Sequence, residues 1–536
     1  MRHACPRWRE PTLRRIALST AAAVFVLGLA TSGRAQESSL PDMGSSAGEL
    51  LSPQQESDYG AYTLYELRRM GYVLDDPLIE SWLDDMGQRL GAASDRPQQP
   101  YTFFMMRDRQ INAFATLGGY IGMNAGLVLT AESEDEVAGV LAHEISHVTQ
   151  RHVLRAVERA KRDQLPILLA MLGAIVAAQG SDNSGDAIQA AVIGSQALAL
   201  QRQINYTRSN EAEADRIGIQ TLSRSGYDVD GMASFFERLD KASRGNSGGY
   251  QVPDYLRSHP VTTTRISEAR QRAERLHAAP APSPQLAAPR LNPLLPGGLS
   301  LDTSSRKPTP MFDWARERLR VLSADNPQAA IREYHALARV TPETDARRYG
   351  LALAQTQAGY PAAAETALQA LAQKPAGQLW IRLALAENAR VAKNDALSRQ
   401  RYEALLTQYP DNRAVSLAYA QMLNSTGERG DGQRAQAVLR PLLASSGDNP
   451  LFQKTFGRSA ELAGDLSRAG EAFAEAAYLN GRAEDALNQL NGLLKRNDLD
   501  YVQRARIEAR IAEITPIVLE MRRQGLKPTD QPVDRG

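Results

Sequence analysis

Apolar and polar positions divide this chain into stretches of different rhythm. Ile16 to Leu29 is an apolar run, preceded by Arg7, Arg9, Arg14 and Arg15 and followed by Thr31-Ser32-Gly33-Arg34-Ala35. A basic start, an apolar stretch of about 14 residues and small residues before a cut predict a secretory signal over residues 1–35, cleaved after Ala35. A spanning helix would need roughly 20 apolar residues. Residues 36–57, rich in Ser, Gly, Pro and Gln, predict a loose lead-in. Over residues 58–277 apolar positions recur mostly at helical spacing around one β-like patch. There, Tyr101 to Met106 and Ile111 to Met123 read as strands, and Gly118-Gly119 punctuates the second.

Residues 278–310 break the rhythm. Pro280 to Pro310 holds 8 of the 28 prolines, which predicts an interdomain linker and two halves that fold separately. Over residues 311–525 the chain is rich in Ala and Leu, and Thr341-Pro342, Lys374-Pro375, Tyr409-Pro410 and Asn449-Pro450 fall 33, 35 and 40 residues apart. Gly359, Gly427 to Gly432 and Gly464 recur between these stops. A helix–turn–helix unit of about 34 residues closed by Pro is the tetratricopeptide pattern, so this half is expected to be an α-solenoid. Small residues such as Ala352, Ala354 and Ala472 to Ala477 would let its paired helices approach closely.

Composition removes several classes. Of 536 residues 43% are hydrophobic and 23% charged, which excludes a polytopic membrane protein, a collagen-like chain and a wholly disordered one. The formal charge is +1, but the first 35 residues carry six Arg and only Glu10, which leaves 56 basic against 60 acidic side chains beyond them. No basic field for nucleic acid remains. Cys5, the one cysteine, lies in the export segment, so the processed chain is expected to have no disulfide, thiolate ligand or acylated Cys.

The chemistry is carried by His143-Glu144-Ile145-Ser146-His147, an H-E-x-x-H motif. Ser133-Glu134-Asp135-Glu136 reads as a capping box, and Val137, Val140 and Leu141 continue the helix it opens. Residues four apart share a helix face, so the imidazoles of His143 and His147 can meet one Zn²⁺ at about 2.0–2.1 Å. Glu144, about 100° round the helix, is placed to deprotonate an attacking water.

A hydrolytic zinc wants a third protein ligand and one open position. The extended H-E-x-x-H-x-x-G-x-x-H motif fails, because Gln150 and Val153 stand where Gly and His are required. His152 falls about 180° round a continuous helix from His143, which makes it a helix-face hydrogen-bonding residue. Asn210-Glu211-Ala212-Glu213-Ala214-Asp215 is the better source, since Glu211 and Asp215 are four apart. One of them could ligate zinc while the other orients a ligand imidazole. Glu213 points elsewhere on this spacing.

H-E-x-x-H followed by E-x-x-A-D resembles the zinc endopeptidase family that contains the CAAX prenyl proteases and the heat-shock protease HtpX. Asn112-Ala113-Phe114-Ala115 also matches that family. The likeness covers roughly residues 60–277. It implies one Zn²⁺ per subunit held by His143, His147 and Glu211, with Glu144 as catalytic base and Asp215 as a second acidic site residue. It also implies that His259, in Ser258-His259-Pro260, can take zinc's fourth position as a regulatory ligand. Arg265 or Asp215 would support the transition state or the His259 loop. Phe114 to Met123 is expected to form an exposed edge beside the metal, headed by Asn112, Ala113 and Phe114, to which an extended substrate adds as a strand.

The fold class is therefore mainly α: an α+β zincin-type metallopeptidase domain with a small β patch, followed by an α-solenoid. The resemblance, the signal and the repeats together imply a periplasmic zinc metalloendopeptidase with chaperone activity in outer-membrane protein quality control. Its partners would be unfolded or misassembled outer-membrane proteins and their assembly machinery, held through the repeats. The rival is a mainly non-proteolytic tetratricopeptide scaffold with a silent zinc site. The apolar stretch Leu165 to Ala178 reads as a core helix or lid, with peripheral membrane contact as the alternative.

Overall fold

A computed structural model describes residues 51–159, 206–245, 254–278 and 311–523. The expected signal, most of the lead-in, the 165–178 stretch, nearly all of the Pro-rich linker and the last two residues of the expected repeat half lie outside them. The first described helix starts within the expected lead-in. Ser52 caps the helix Pro53–Arg69 by accepting from Gln55 N–H, while the Gln55 side chain accepts from Ser52 N–H. The next helix, Pro77–Ala92, is capped by Asp76 and buries the stripe Leu78, Ile79, Leu83, Met86 and Leu90.

The β patch is a three-stranded sheet of order β1-β3-β2, with β1 at Thr102–Met106, β2 at Ala113–Ala115 and β3 at Tyr120–Asn124. β1 runs parallel to β3, pairing Thr102 with Tyr120, and β2 runs antiparallel to it, pairing Phe114 with Gly122. Phe114 to Met123 is thus not one edge. Gly118 and Gly119, at φ of 71° and 86°, reverse the chain, so β3 is the buried central strand and β2 alone is the edge on this side. The motif helix, Glu134–Thr149, packs against β2 and against the helix Asp230–Gly245. Ser133 caps it through Glu136 N–H as the sequence implies, but the Glu136 carboxylate reaches back to Glu132 N–H.

Beyond residue 310 the helices pair as units that open at Phe312, Asp345, Gln378, Arg413, Pro450 and Ala483, at intervals of 33 to 37 residues. Gly359, Gly427 and Gly464 turn the chain between partners at positive φ. Ala352, Ala354, Ala474 and Ala477 are fully buried between helices. Among the described residues, no helix is long and apolar enough to cross a membrane.

The two halves do not stand apart as the linker suggested. Phe312, Trp314 and Leu319 of the first repeat helix enter the same hydrophobic core as Leu78, Leu83 and Leu127. Arg318 donates to both carboxylate oxygens of Asp76, at 2.8 and 2.6 Å, and to Tyr349 Oη at 3.1 Å. Arg109 donates to Glu333, Ser323 and the Arg320 carbonyl at 2.7–3.0 Å. Arg413 and Asn449 both donate to Glu80, at 3.1 and 2.8 Å. Proline density reports the stiffness of a connection, whereas docking is decided by the faces on either side.

Asp76 and Arg318 keep only about a tenth of their side-chain surface in water (10% and 14%), so removing one partner strands the other. Arg318→Met should destabilise the docked array by about 3–5 kcal/mol, seen as a lower urea midpoint. Asp76→Asn/Arg318→Met, which keeps the helix cap without a buried charge, should recover part of that loss. A single variant as stable as wild type would show that the pair does not hold the halves together.

Candidate metal centre

Two helices supply the centre. The motif helix buries His143 and Glu144 almost completely, with His147 one turn on. Residues 206–224 form the second helix, which brings Glu211 and Asp215 to the same face, both buried. Gly218 allows the approach. A side chain there would stand 3.2 Å from the backbone of His143. The loop after the short helix Asp254–Ser258 then delivers His259 from a third direction.

His143 Nε2 lies 3.0 Å from His147 Nε2, and each is 3.4 Å from an oxygen of Glu211. His259 Nδ1 is 3.4 Å from His143 Nε2 and 3.0 Å from Glu211 Oε1. Ligand atoms around a tetrahedral metal ion with bonds of about 2.0–2.1 Å stand roughly 3.3–3.4 Å apart. The four donors therefore fit one metal ion. Their chemistry fits as well, since imidazole nitrogens and a carboxylate are the donor types that suit zinc.

Charge around the cluster favours a cation. Burial opposes a charge on His143, but hydrogen bonding and charge from Asp215 and Glu211 outweigh it and lift the imidazole to about 10. Burial, with His143 beside it, keeps His147 well below the usual histidine value, so that ring stays neutral. Burial would raise Glu211, yet His143 and His259 hold it far below the carboxylate range. Asp215 Oδ1 sits 3.0 Å from His143 Nδ1, off the line of an ideal hydrogen bond.

Arg265 supports this arrangement from behind. Its Nε and Nη2 donate to Asp215 at 2.7 and 2.8 Å, while Nη1 lies 2.9 Å from both Glu211 Oε2 and the Pro260 carbonyl. The guanidinium also lies over the Phe236 ring at 4.7 Å. With its fork occupied in this way, Arg265 braces the acidic helix and the His259 loop. Glu144 is 1% exposed, and its Oε1 has no hydrogen-bond partner; His259 Nε2 lies 3.7 Å from it. Asn112 Oδ1, at the head of β2, is likewise buried and unpaired.

One residue sits where spacing did not put it. The motif helix ends at Thr149, and Arg151, at φ 54°, turns the chain before a second helical stretch begins at residue 152. His152 is thereby swung back onto the outer side of His147, with their Nδ1 atoms 2.9 Å apart. Glu213 stays outside the donor cluster, as its spacing implies, but it is not idle: its Oε2 meets His152 Nε2 at 3.2 Å and Arg155 Nη1 at 3.1 Å. No Gly or Pro marks the break, so the sequence carries no signal for it.

Comparison with known proteins agrees with the geometry. The profile of peptidase family M48 matches residues 77–273. The chain is 30% identical over 509 residues to the beta-barrel assembly-enhancing protease of Escherichia coli K12, covering 94% of this chain and 96% of that one. It is 44% identical over 235 residues to the putative beta-barrel assembly-enhancing protease of Vibrio cholerae, a stretch spanning 44% of this chain and about half (47%) of that protein. Similarity extends to the metalloprotease LoiP of Escherichia coli, at 26% identity over 32% of this chain and 63% of the relative.

Because Glu211 touches both motif histidines, Glu211→Gln should keep the fold and lose metal affinity. The loss should exceed the roughly 10–100-fold typical of an outer-shell partner, measured by competition with a chromophoric chelator. Affinity equal to wild type would remove Glu211 from the ligand set.

Proposed function

The chain belongs to peptidase family M48 and is a metalloendopeptidase, and on that premise we propose that it is a zinc enzyme of the periplasm acting on outer-membrane proteins during their assembly. The catalytic part is carried by one observation: the buried Glu144, whose Oε1 has no hydrogen-bond partner, stands beside four converging donor atoms. The cellular part rests on likeness over nearly the whole chain to a protease named for β-barrel assembly, together with the signal-like first 35 residues. The 33- to 37-residue units support a tetratricopeptide array that engages client or assembly-machinery proteins.

His143 Nε2, His147 Nε2 and a Glu211 oxygen would hold the zinc. When bound there, zinc supplies Lewis-acid polarisation of the scissile carbonyl and of the attacking water. Glu144 takes the proton from that water and returns it to the departing amine. Asp215 fixes the His143 ring from behind and is itself fixed by Arg265, which makes both of them positioning residues. The free edge of β2, Ala113–Ala115, offers backbone pairing to an extended substrate, and the buried Asn112 Oδ1 can accept from its amide. Pairing through the backbone would make the enzyme tolerant of sequence.

His259 is the proposed gate. Its Nδ1 occupies the fourth corner of the cluster, and the Tyr255 ring stacks on it at 4.8 Å. Tyr255 N–H donates to the Ile111 carbonyl just before β2, so the gate segment lies at the head of the substrate edge. Substrate and gate therefore compete for adjoining positions.

Glu144→Gln should retain zinc and fold but lose proteolysis of casein or of an unfolded outer-membrane protein by about 10²–10⁴-fold. Cleavage at the wild-type rate would refute the mechanism. His259→Ala should raise basal proteolysis and self-cleavage without loss of zinc. A fall in rate with zinc retained would instead make His259 a transition-state residue, and an unchanged rate would exclude both roles.

A further inference from the structure

An imidazole that binds metal through one nitrogen must keep a proton on the other, and whatever faces that other nitrogen sets the tautomer and aims the ring. For His143 that partner is Asp215, at 3.0 Å from Nδ1. Among the described residues, no carboxylate is paired with Nδ1 of His147. A second histidine is, with His152 Nδ1 at 2.9 Å, the two rings 4.8 Å apart and inclined at 76°.

His152 is 3% exposed. Its far nitrogen, Nε2, lies 3.2 Å from Glu213 Oε2, which Arg155 Nη1 also holds at 3.1 Å. Because the Arg155 guanidinium donates to that same oxygen, Glu213 Oε2 is an acceptor in this cluster.

That one fact orders the chain of protons. An acceptor at Nε2 requires His152 to carry its proton there, which leaves Nδ1 bare. A bare Nδ1 accepts from Nδ1–H of His147. His147 is then left with a lone pair on Nε2, the atom that points at His143 Nε2 and Glu211. The opposite tautomer of His152 would set N–H against N–H. The reversal at Arg151, whose guanidinium is tied to Glu56, is what places His152 to do this.

We propose that His152 and Glu213 form a relay that positions His147, fixing its Nδ1–H tautomer and aiming Nε2 at the metal. The proposal rests on His147 being a ligand, as read above. The two ligand histidines are thus braced by different means, one directly by an aspartate and the other through an intermediate imidazole.

The test is zinc affinity by chelator competition in a Glu144→Gln background, which removes self-cleavage, with circular dichroism to confirm fold. His152→Phe keeps the ring shape but deletes the acceptor, and should weaken zinc binding about 10–100-fold. His152→Asn places Oδ1 where Nδ1 stood and should restore affinity close to wild type. If the Phe variant does not fold, Glu213→Ala carries the test at a partly exposed position, with an expected loss of about tenfold. Wild-type affinity in His152→Phe or in Glu213→Ala would overturn the relay, as would an Asn variant as weak as a folded Phe variant. His147→Ala separates the layers. Undiminished zinc binding there would overturn the ligand reading itself, whereas its loss alongside an unaffected His152→Phe would overturn the relay alone.

Discussion

Two imidazole nitrogens held 3.0 Å apart in a largely buried cluster, with a carboxylate oxygen 3.4 Å from each, must share a proton or a metal ion, because their bare lone pairs would repel one another. Much of the front half answers that constraint. Gly218 lets the second helix come close enough to offer its carboxylates. Asp215, Arg265 and the Pro260 carbonyl lock together so that the acidic groups cannot relax away. The surrounding core then excludes the water that would otherwise screen these charges. A site of this kind is costly to assemble without its metal, and so metal binding and the order of the loop bearing His259 should be linked.

What could be read from the sequence was whatever depended on helical period. Four-residue spacing puts His143 with His147 and Glu211 with Asp215 on shared faces wherever those helices lie, and the structure brings the two faces together. Ser133 announced its helix through local capping chemistry. What could not be read depended on tertiary contact or on unmarked backbone conformation. His152 was assigned to the far side of a continuous helix because Gln150-Arg151 looks like helix, and Glu213 was lost with it. The β patch was found, but strand order was not, since Ile121, Gly122, Met123 and Asn124 are all buried in a central strand and show no alternation between core and solvent.

The same limit hid the packing between the two halves. A proline-dense connection and two different hydrophobic rhythms describe two halves correctly as patterns. Whether they pack depends on Phe312, Trp314 and Leu319 finding Leu78, Leu83 and Leu127, and no local pattern records that meeting. The charged groups at the junction make it specific. Asp76 caps its own helix through Ile79 N–H while also accepting from Arg318, so one carboxylate fixes both a helix start and its docking partner. The catalytic half and the array are thereby mechanically joined, and a load on the repeats reaches the helix that packs beneath the motif helix.

A final consequence follows from where that helix makes its contacts. Repeat proteins ordinarily gain and lose whole units with little penalty, because each unit meets only its neighbours. Here one helical turn, Asp76 to Glu80, grips Arg318 in the first unit, Arg413 at the start of the fourth and Asn449 at the cap of the fifth. The intervening units close a ring whose circumference is counted in helices. Adding or removing one would leave Glu80 facing the wrong partner, and the fifth unit is held again where its Tyr478 ring meets Tyr65 of the helix Pro53–Arg69 at 5.8 Å, so copy number up to that unit is fixed in the way that a ring's size is fixed by its closure.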